Sequence, residues 1–288
     1  MRSFCFIVFT TPVLLICPTI TDAQPYLDFV SLKYTTSPNI GLLNQNKNSI
    51  KIQYLGLSTN IPFQFKNKKD AVILSPFFEK WSSNINNKNE QHYYSVALPV
   101  TLSKTIPYTK YDILLTGIIR MNDSSINKKT KMQVGGAFNI SKKRDEKFTW
   151  KLGIYINNEL FGLFVMPLAG IDWKINGRNN LFGVLPGNIT YEHKINSHFY
   201  NGTNFRAITN SYAKTTNYWR INENQLGIYF DTYIIENFVF NIEAGHSLFR
   251  KIETGVKHIS KYNVNVNDNM YVKLSMVYRV RFKTKKSI

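Results

Sequence analysis

Apolar and polar residues alternate along many segments of this chain, and the last segment shows the pattern most clearly. Between residues 270 and 282 every second residue is apolar, and the residues between them are mostly polar. Successive side chains of a β-strand point to opposite faces, so a period of two predicts a strand with one apolar face and one wet face. The same alternation recurs at residues 94–102, 111–121 and 226–234.

Thirteen segments of this kind predict strands, separated by breaks rich in Asn, Lys and Gly. A single-chain bacterial barrel normally has an even number of strands, so we expect about twelve, with ten or fourteen as alternatives. The first segment could instead be an arm inside the barrel, and the two segments around Asn157 could be one bent strand. Residues 82–90 and 253–269 are predicted as loops. The thirteen segments are 26–36, 49–59, 71–82, 91–104, 109–121, 131–143, 147–156, 161–175, 179–194, 198–214, 220–235, 237–250 and 269–282.

Strand length favours a fold that crosses a membrane. A tilted strand needs about 9–11 residues to span a bilayer, whereas ordinary strands average about 5–6. A sheet in hydrocarbon must close, because an open edge leaves backbone groups unpaired. The prediction is therefore an all-β fold, a closed antiparallel transmembrane β-barrel, with a periplasmic or secreted β-sandwich as the alternative. Outer-membrane barrels use a terminal strand ending in an aromatic residue as their assembly signal, and the candidates here are Tyr278, Val280 and Phe282.

The first 23 residues have the features of a secretory signal peptide, with a basic start, a short apolar run and Ala23 before the expected cut. The apolar run is too short for the roughly 20 residues of a spanning helix. We therefore expect a signal peptide at 1–23 and an outer-membrane β-barrel domain at 24–288. Both cysteines, Cys5 and Cys17, lie in the leader, which leaves no disulfide and no thiolate metal site in the exported part.

Charge is the next signal, because 36 Lys and Arg against 18 Asp and Glu give a net charge of +18. Predicted export argues against a nucleic acid partner, so the excess is assigned to solvated loops and to contact with lipopolysaccharide phosphates. Ionisable residues on the polar strand faces would line the lumen. They could form an anion-selective pore, or they could pair across the lumen and plug it. The candidates are Asp112, Arg120, Asp172, Lys174, Asp231, Glu243, Lys273, Arg279 and Arg281.

A catalytic role is not predicted. His258 and Ser260 have the His-x-Ser spacing of barrel lipid A deacylases, but they fall in a Lys-rich stretch and lack the Asn that follows in that family. They are the one candidate pair of base and nucleophile. The five histidines lack the spacing of metal ligands, so neither a metal nor a cofactor is expected.

Three motifs resemble a known family. LFVMPLAGIDWKING (163–177), NNLFGVLPGNITYEHKI (179–195) and IEAGHSLFRK (242–251) resemble the uncharacterised bacterial outer-membrane β-barrel family called domain of unknown function 6268. The resemblance implies a signal peptide, a barrel and an outer-membrane location, and it implies no catalytic residue. Pro167 and Pro186 lack a backbone donor, so each predicts a bulge, a strand end or a bend.

These observations predict a monomer in the bacterial outer membrane. Its expected partners are outer-membrane lipids, lipopolysaccharide and the barrel-assembly machinery. The expected activity is passive passage or binding of a small solute or lipid. The alternatives are a structural or adhesive barrel with a blocked lumen, and a lipid-modifying enzyme of the outer leaflet.

Overall fold

The computed structural model describes residues 25–38, 40–42, 45–67, 69–85, 88–123, 131–214, 217–256 and 259–282. The predicted leader and the C-terminal residues 283–288 lie outside these ranges. In the described part, no helix has the length and apolar character to cross a membrane. The strands are β1 (Tyr26–Thr36), β2 (Ile40–Leu42), β3 (Gln45–Thr59), β4 (Ile61–Gln64), β5 (Ala71–Leu74), β6 (Phe77–Ile85), β7 (Lys88–Thr105), β8 (Tyr111–Asp123), β9 (Lys131–Lys143), β10 (Phe148–Glu159), β11 (Gly162–Lys174), β12 (Asn179–Leu185), β13 (Asn188–Lys194), β14 (Phe199–Lys214), β15 (Asn217–Ile235), β16 (Phe238–Val256), β17 (Ile259–Asn265) and β18 (Asn269–Arg281).

The strands form one antiparallel sheet that closes on itself, because β1 pairs with β18 and Tyr26 stands opposite Arg281. Fourteen strands make the ring, in the order β1, β3, β6 to β16 and β18. β4 and β5 continue β3 and β6, whereas β2 and β17 pair with β3 and β16. The predicted all-β closed antiparallel barrel is confirmed, and its strand number is the upper alternative of the predicted range.

Burial alternates along the strands as the sequence predicts. On β18, Leu274 and Met276 are exposed, whereas Tyr271, Ser275 and Val277 are buried. The exposed face is apolar although it is the outer face of the molecule, as expected for a surface in contact with lipid. The buried face of β18 holds Lys273, Ser275 and Arg279.

Several boundaries differ from the prediction. Residues 179–194 form two strands instead of one, because the chain turns at Pro186 and Gly187. Residues 26–36 belong to the wall instead of forming an internal arm, and the segments around Asn157 form a hairpin instead of one bent strand.

The predicted loops 82–90 and 253–269 are also mostly strand. The pairs β6–β7 and β16–β17 continue through them. Polar strand ends that project beyond a membrane meet water on both faces, so they lose the alternation that identifies a strand.

Both ends of the described chain lie at one end of the barrel, here called the terminal end, together with the short turns 106–110, 144–147, 175–178 and 195–198. The other end is called the distal end. Aromatic pairs lie near the terminal end: Tyr111 with Trp150 and Phe148 with Trp173, each with ring centroids 6.3 Å apart. Trp173 is 41 % exposed. Such pairs are typical of the aromatic girdle at a membrane interface.

Candidate functional site

The inner face of the barrel is the candidate site, and it carries the nine ionisable residues that alternation assigned to the lumen. Six of them are almost fully buried, and three are half-buried near the terminal end. The six are Arg120, Asp172, Asp231, Glu243, Lys273 and Arg279, and the three are Asp112, Lys174 and Arg281.

Arg279 on β18 is held between two carboxylates at the terminal end. Its Nε lies 2.5 Å from Asp28 Oδ1 on β1, and its Nη1 lies 2.6 Å from Asp231 Oδ2 on β15. The Asn241 amide donates to Asp231 at 2.6 Å, and the guanidinium carbon lies 3.7 Å from the ring centroid of Tyr26. The cation and both anions are therefore satisfied by one another.

Arg281, next on the same face, reaches across the barrel. Its Nη2 lies 2.5 Å from Glu192 Oε2 on β13, and three strands of the wall separate β13 from β18. Its Nε donates to the Tyr233 hydroxyl at 2.6 Å, and its guanidinium stacks on Tyr200 at 3.6 Å from the ring centroid. This contact closes interior space at the terminal end.

Glu243 is the centre of a second group in the middle of the barrel. It is 2 % exposed and forms ion pairs with Lys273 and Arg206. The Tyr271 hydroxyl donates to it at 2.6 Å, and Arg206 also donates to Gln225 at 2.6 Å. Two basic side chains therefore share one buried carboxylate.

The distal half is crossed by strand β14. Arg120 on β8 forms an ion pair with Glu79 on β6, and its Nη1 donates to Asn210 Oδ1 on β14 at 3.1 Å. The Tyr212 hydroxyl of β14 donates to Glu79 at 2.8 Å. Although β14 lies on the opposite side of the ring from β7 and β8, residues of β14 come within 8 Å of both strands, measured between Cα atoms. The barrel is therefore flattened, and β14 divides its interior.

A further polar group lies on one side of this division. Arg250 on β16 contacts Glu223 on β15 at 2.8 Å, and both side chains are 1 % exposed. The Arg250 guanidinium also donates to Ser247 at 2.7 Å and to Ser37 at 3.1 Å. On the other side, Glu159 accepts a hydrogen bond from Gln133 at 2.8 Å.

Aromatic residues fill the interior near the distal end. Tyr93 and Trp219 stack with centroids 4.5 Å apart and ring planes 7° apart, and Trp81 and Tyr212 pack around them. A uniformly hydrophilic interior, which alternation alone suggests, is therefore wrong at this end. Alternation identifies the buried face, but it does not tell whether that face meets water or other side chains.

The remaining candidates lie along the wall. Asp172 pairs with Lys151 on the adjacent strand β10 at 2.7 Å, so this ion pair does not cross the lumen. Of the predicted assembly residues, Tyr278 packs against Phe238 at 5.2 Å between ring centroids. Phe282 donates its backbone N–H to the carbonyl of Pro25 at 3.0 Å, next to the seam between the first and last strands.

The family model "Domain of unknown function (DUF6268)" matches residues 110–285. The chain belongs to this family. No curated protein matches the sequence.

Solved structures similar to this DUF6268 chain include membrane channels. The COG4313 outer membrane channel from Pseudomonas putida F1 has 8 % identity and a TM-score of 0.44, and the match covers 91 % of this chain and 99 % of that one. The TodX monoaromatic hydrocarbon channel deltaS2 mutant has 7 % identity and a TM-score of 0.40, with 90 % and 91 % coverage. The KdgM porin has 8 % identity and a TM-score of 0.35, with 86 % and 98 % coverage.

Sequence reasoning missed several interior residues of this DUF6268 barrel, above all Glu79, Glu192, Glu223 and Arg250. A signal for Glu223 was present, because it lies on the same face of β15 as Asp231. The contact between Glu192 and Arg281 depends on the curvature of the wall, which the local sequence does not encode.

The catalytic candidates are not placed by the structure. His258 and the side chain of Ser260 lie outside the described residues. Among the residues that are described, no three of His, Cys, Asp and Glu are grouped so as to hold a metal ion.

Proposed function

We propose that this DUF6268 protein is a monomeric barrel of the bacterial outer membrane. Its interior is closed at rest, and it binds a small solute or lipid or passes it slowly. The observation that carries this proposal is the crossing of the interior by β14, whose Asn210 and Tyr212 bond to Arg120 and Glu79 on the far wall. The apolar outer face and the closed ring support the membrane location.

A binding role is favoured over a purely structural barrel by the uneven filling of the interior. Inward residues of β18, such as Ser275 and Val277, are buried. Inward residues in the middle of β9 to β11, such as Ala137, Gly153 and Met166, are only half-buried, although inward residues nearer the strand ends are buried. A permanently plugged barrel would be expected to pack both sides equally, whereas a binding site leaves space on one side.

The proposed partners follow from where the charges lie. Many acidic side chains are buried in ion pairs, so the net charge of +18 is concentrated on rims and loops. That surface suits the phosphates of lipopolysaccharide. We assign Phe282 and the outward face of β18 to recognition by the barrel-assembly machinery, and we assign no catalytic role to His258 and Ser260.

Ion conductance in planar bilayers tests the closed interior. The wild-type barrel is expected to give no steady open-channel current in KCl. The double variant Asn210→Ala, Tyr212→Phe removes the bonds that tie β14 to the far wall, so it is expected to show discrete openings. The matched control is Tyr94→Phe, on the outer face of β7 in phase with the exposed Val96, which is expected to behave as the wild type. A steady wide-channel current from the wild-type protein would contradict the proposal.

A further inference from the structure

The wall of the barrel is incomplete on one side. β12 and β13 have seven residues each, fewer than the roughly 9–11 that a tilted strand needs to span a bilayer. β11 pairs with β12 only through residues 169–174, and β13 pairs with β14 only through residues 200–206 of the latter. In the described part of the chain, residues 162–168 and 207–214 therefore have a strand neighbour on one side only.

This gap, here called the lateral window, is framed on all sides. On the side of the terminal end, the backbone N–H of Ala207 donates to the carbonyl oxygens of Pro186 and Gly187 at 3.0 and 3.2 Å. On the side of the distal end, the backbone N–H of Leu160 donates to Ser211 Oγ at 3.0 Å. The β11 edge between these limits is about 20 Å long at roughly 3.3 Å per residue. Because the β12–β13 hairpin is too short to span, its tip and the window lie at hydrocarbon depth.

The window exists because the part of β14 beyond the hairpin bends into the interior while it stays paired with β15 as far as Lys214. Ser211 accepts a hydrogen bond from Gln133 on β9 at 3.0 Å, and it also bonds to Glu159. On the opposite face, Tyr212 reaches Glu79. Both faces of the strand thus contact the interior. Pro167 fits the facing edge, since proline cannot donate to a ladder and occurs in sheets mainly at edges.

The surface at the window is apolar on both sides of β11. The outward residues Leu163 and Val165 are 71 % and 49 % exposed, and they continue the lipid-facing belt. The inward residues Phe164, Met166 and Leu168 are half-buried and face the unfilled side of the interior. An apolar path therefore leads from the outer belt, past one strand edge, into the barrel.

From this geometry we infer that an acyl chain of a lipid from the surrounding bilayer enters the barrel sideways through the lateral window and lies along Phe164, Met166 and Leu168. Backbone N–H and C=O groups at the edge are unstable in bare hydrocarbon, because nothing there can form hydrogen bonds with them. The ester carbonyl oxygens of a lipid drawn into the window can accept hydrogen bonds from the backbone N–H groups of this edge. This inference deepens the proposed function, because it names the ligand class and its route.

Quenching of a fluorescent label by brominated lipid tests the inference. Single cysteines replace Met166, Val165 and Thr101 in the mature chain, which lacks the leader cysteines. Each variant is labelled with bimane and reconstituted in vesicles of phosphatidylcholine whose acyl chains carry bromine at mid-chain. Val165→Cys reports the lipid-facing surface. Thr101→Cys is the matched control, because Thr101, Thr116, Ala137, Tyr155 and Met166 stand opposite one another across β7 to β11. Thr101 faces inward on a strand that has neighbours on both sides.

The expected result is quenching at Met166→Cys comparable to that at Val165→Cys and several-fold above that at Thr101→Cys. Leu168→Cys is expected to show the same quenching, and it replaces Met166→Cys if that variant does not fold. Quenching at both window positions no greater than at Thr101→Cys would overturn the inference, and so would quenching there by aqueous iodide alone. Conductance of the wild-type barrel reports whether its interior is closed, and quenching reports whether lipid reaches that interior. A closed barrel with no excess quenching at residues 166 and 168 would therefore overturn this inference and leave the proposed function standing.

Discussion

Arg279 shows how strongly single residues depend on the barrel interior. Replacing it by Met leaves the buried Asp231 and the half-buried Asp28 without their cation, and breaking a buried pair in this way costs about 3–5 kcal/mol. We expect a loss of that size in the free energy of unfolding, measured by urea titration of the refolded barrel. Arg144→Met is the control, because Arg144 is 76 % exposed and lies 3.9 Å from Asp145. An exposed pair contributes about 0–1 kcal/mol, so equal losses for both variants would contradict the interior assignment.

Asp70 illustrates a residue-scale effect outside the membrane. The backbone N–H of Thr105 and the Asn67 amide donate to its carboxylate at 3.0 and 2.8 Å, and these bonds lower the pKa of Asp70 below its ordinary value. A depressed carboxyl pKa stabilises the turn above the ordinary pKa, and the stabilisation is lost as pH falls through the lowered one. Hydrogen-exchange protection of the Thr105 amide is therefore expected to fall in acid.

Asp70→Ala should leave the Thr105 amide weakly protected at neutral and acidic pH alike. The control amide is Phe65, which donates to the Asp70 backbone carbonyl at 2.9 Å and does not need the carboxylate. If protection at Thr105 were the same in acid and at neutral pH in the wild type, the carboxylate would not be what holds this turn.

At the scale of one strand, β18 presents its two faces to different media. Leu274 lies in the middle of its outer face, where Arg costs about 2–4 kcal/mol near the bilayer midplane and about 0–1 near the interface. Leu274→Arg is therefore expected to lower the free energy of unfolding in vesicles by about 2–4 kcal/mol. Ile175→Arg, in a turn at the terminal end, should change it by at most about 1 kcal/mol. If Leu274→Arg left the free energy of unfolding unchanged, this face would not be in contact with hydrocarbon.

The β12–β13 hairpin shows the limit of element prediction. Asn180, Phe182 and Glu192 face inward much as in a longer strand, so residues 179–194 look continuous by periodicity. The turn depends on Pro186 with Gly187 and on Gly183, which has a φ of 140° and where a Cβ would stand 2.2 Å from the carbonyl oxygen of Asn188. The need for glycine at position 183 is visible only from the close approach of the two strand backbones.

For the whole molecule, the sequence predicts what depends on neighbouring residues and misses what depends on distant ones. The closed barrel and the inward position of Asp231 or Arg279 follow from a period of two along each strand. The pairing of Arg281 with Glu192 and the displacement of β14 depend on how fourteen strands curve together. An open pore and a divided interior therefore share one sequence pattern, and only the three-dimensional arrangement distinguishes them.

The seam between β1 and β18 has a consequence for how this protein can be made. Asp28 and Arg279 belong to the first and last strands, and 251 positions separate them along the chain. Asp28 and Arg279 cannot pair until the last strand has been synthesised. Every intermediate that lacks the final strand must therefore carry an unsealed sheet edge and an Asp28 carboxylate without its cation.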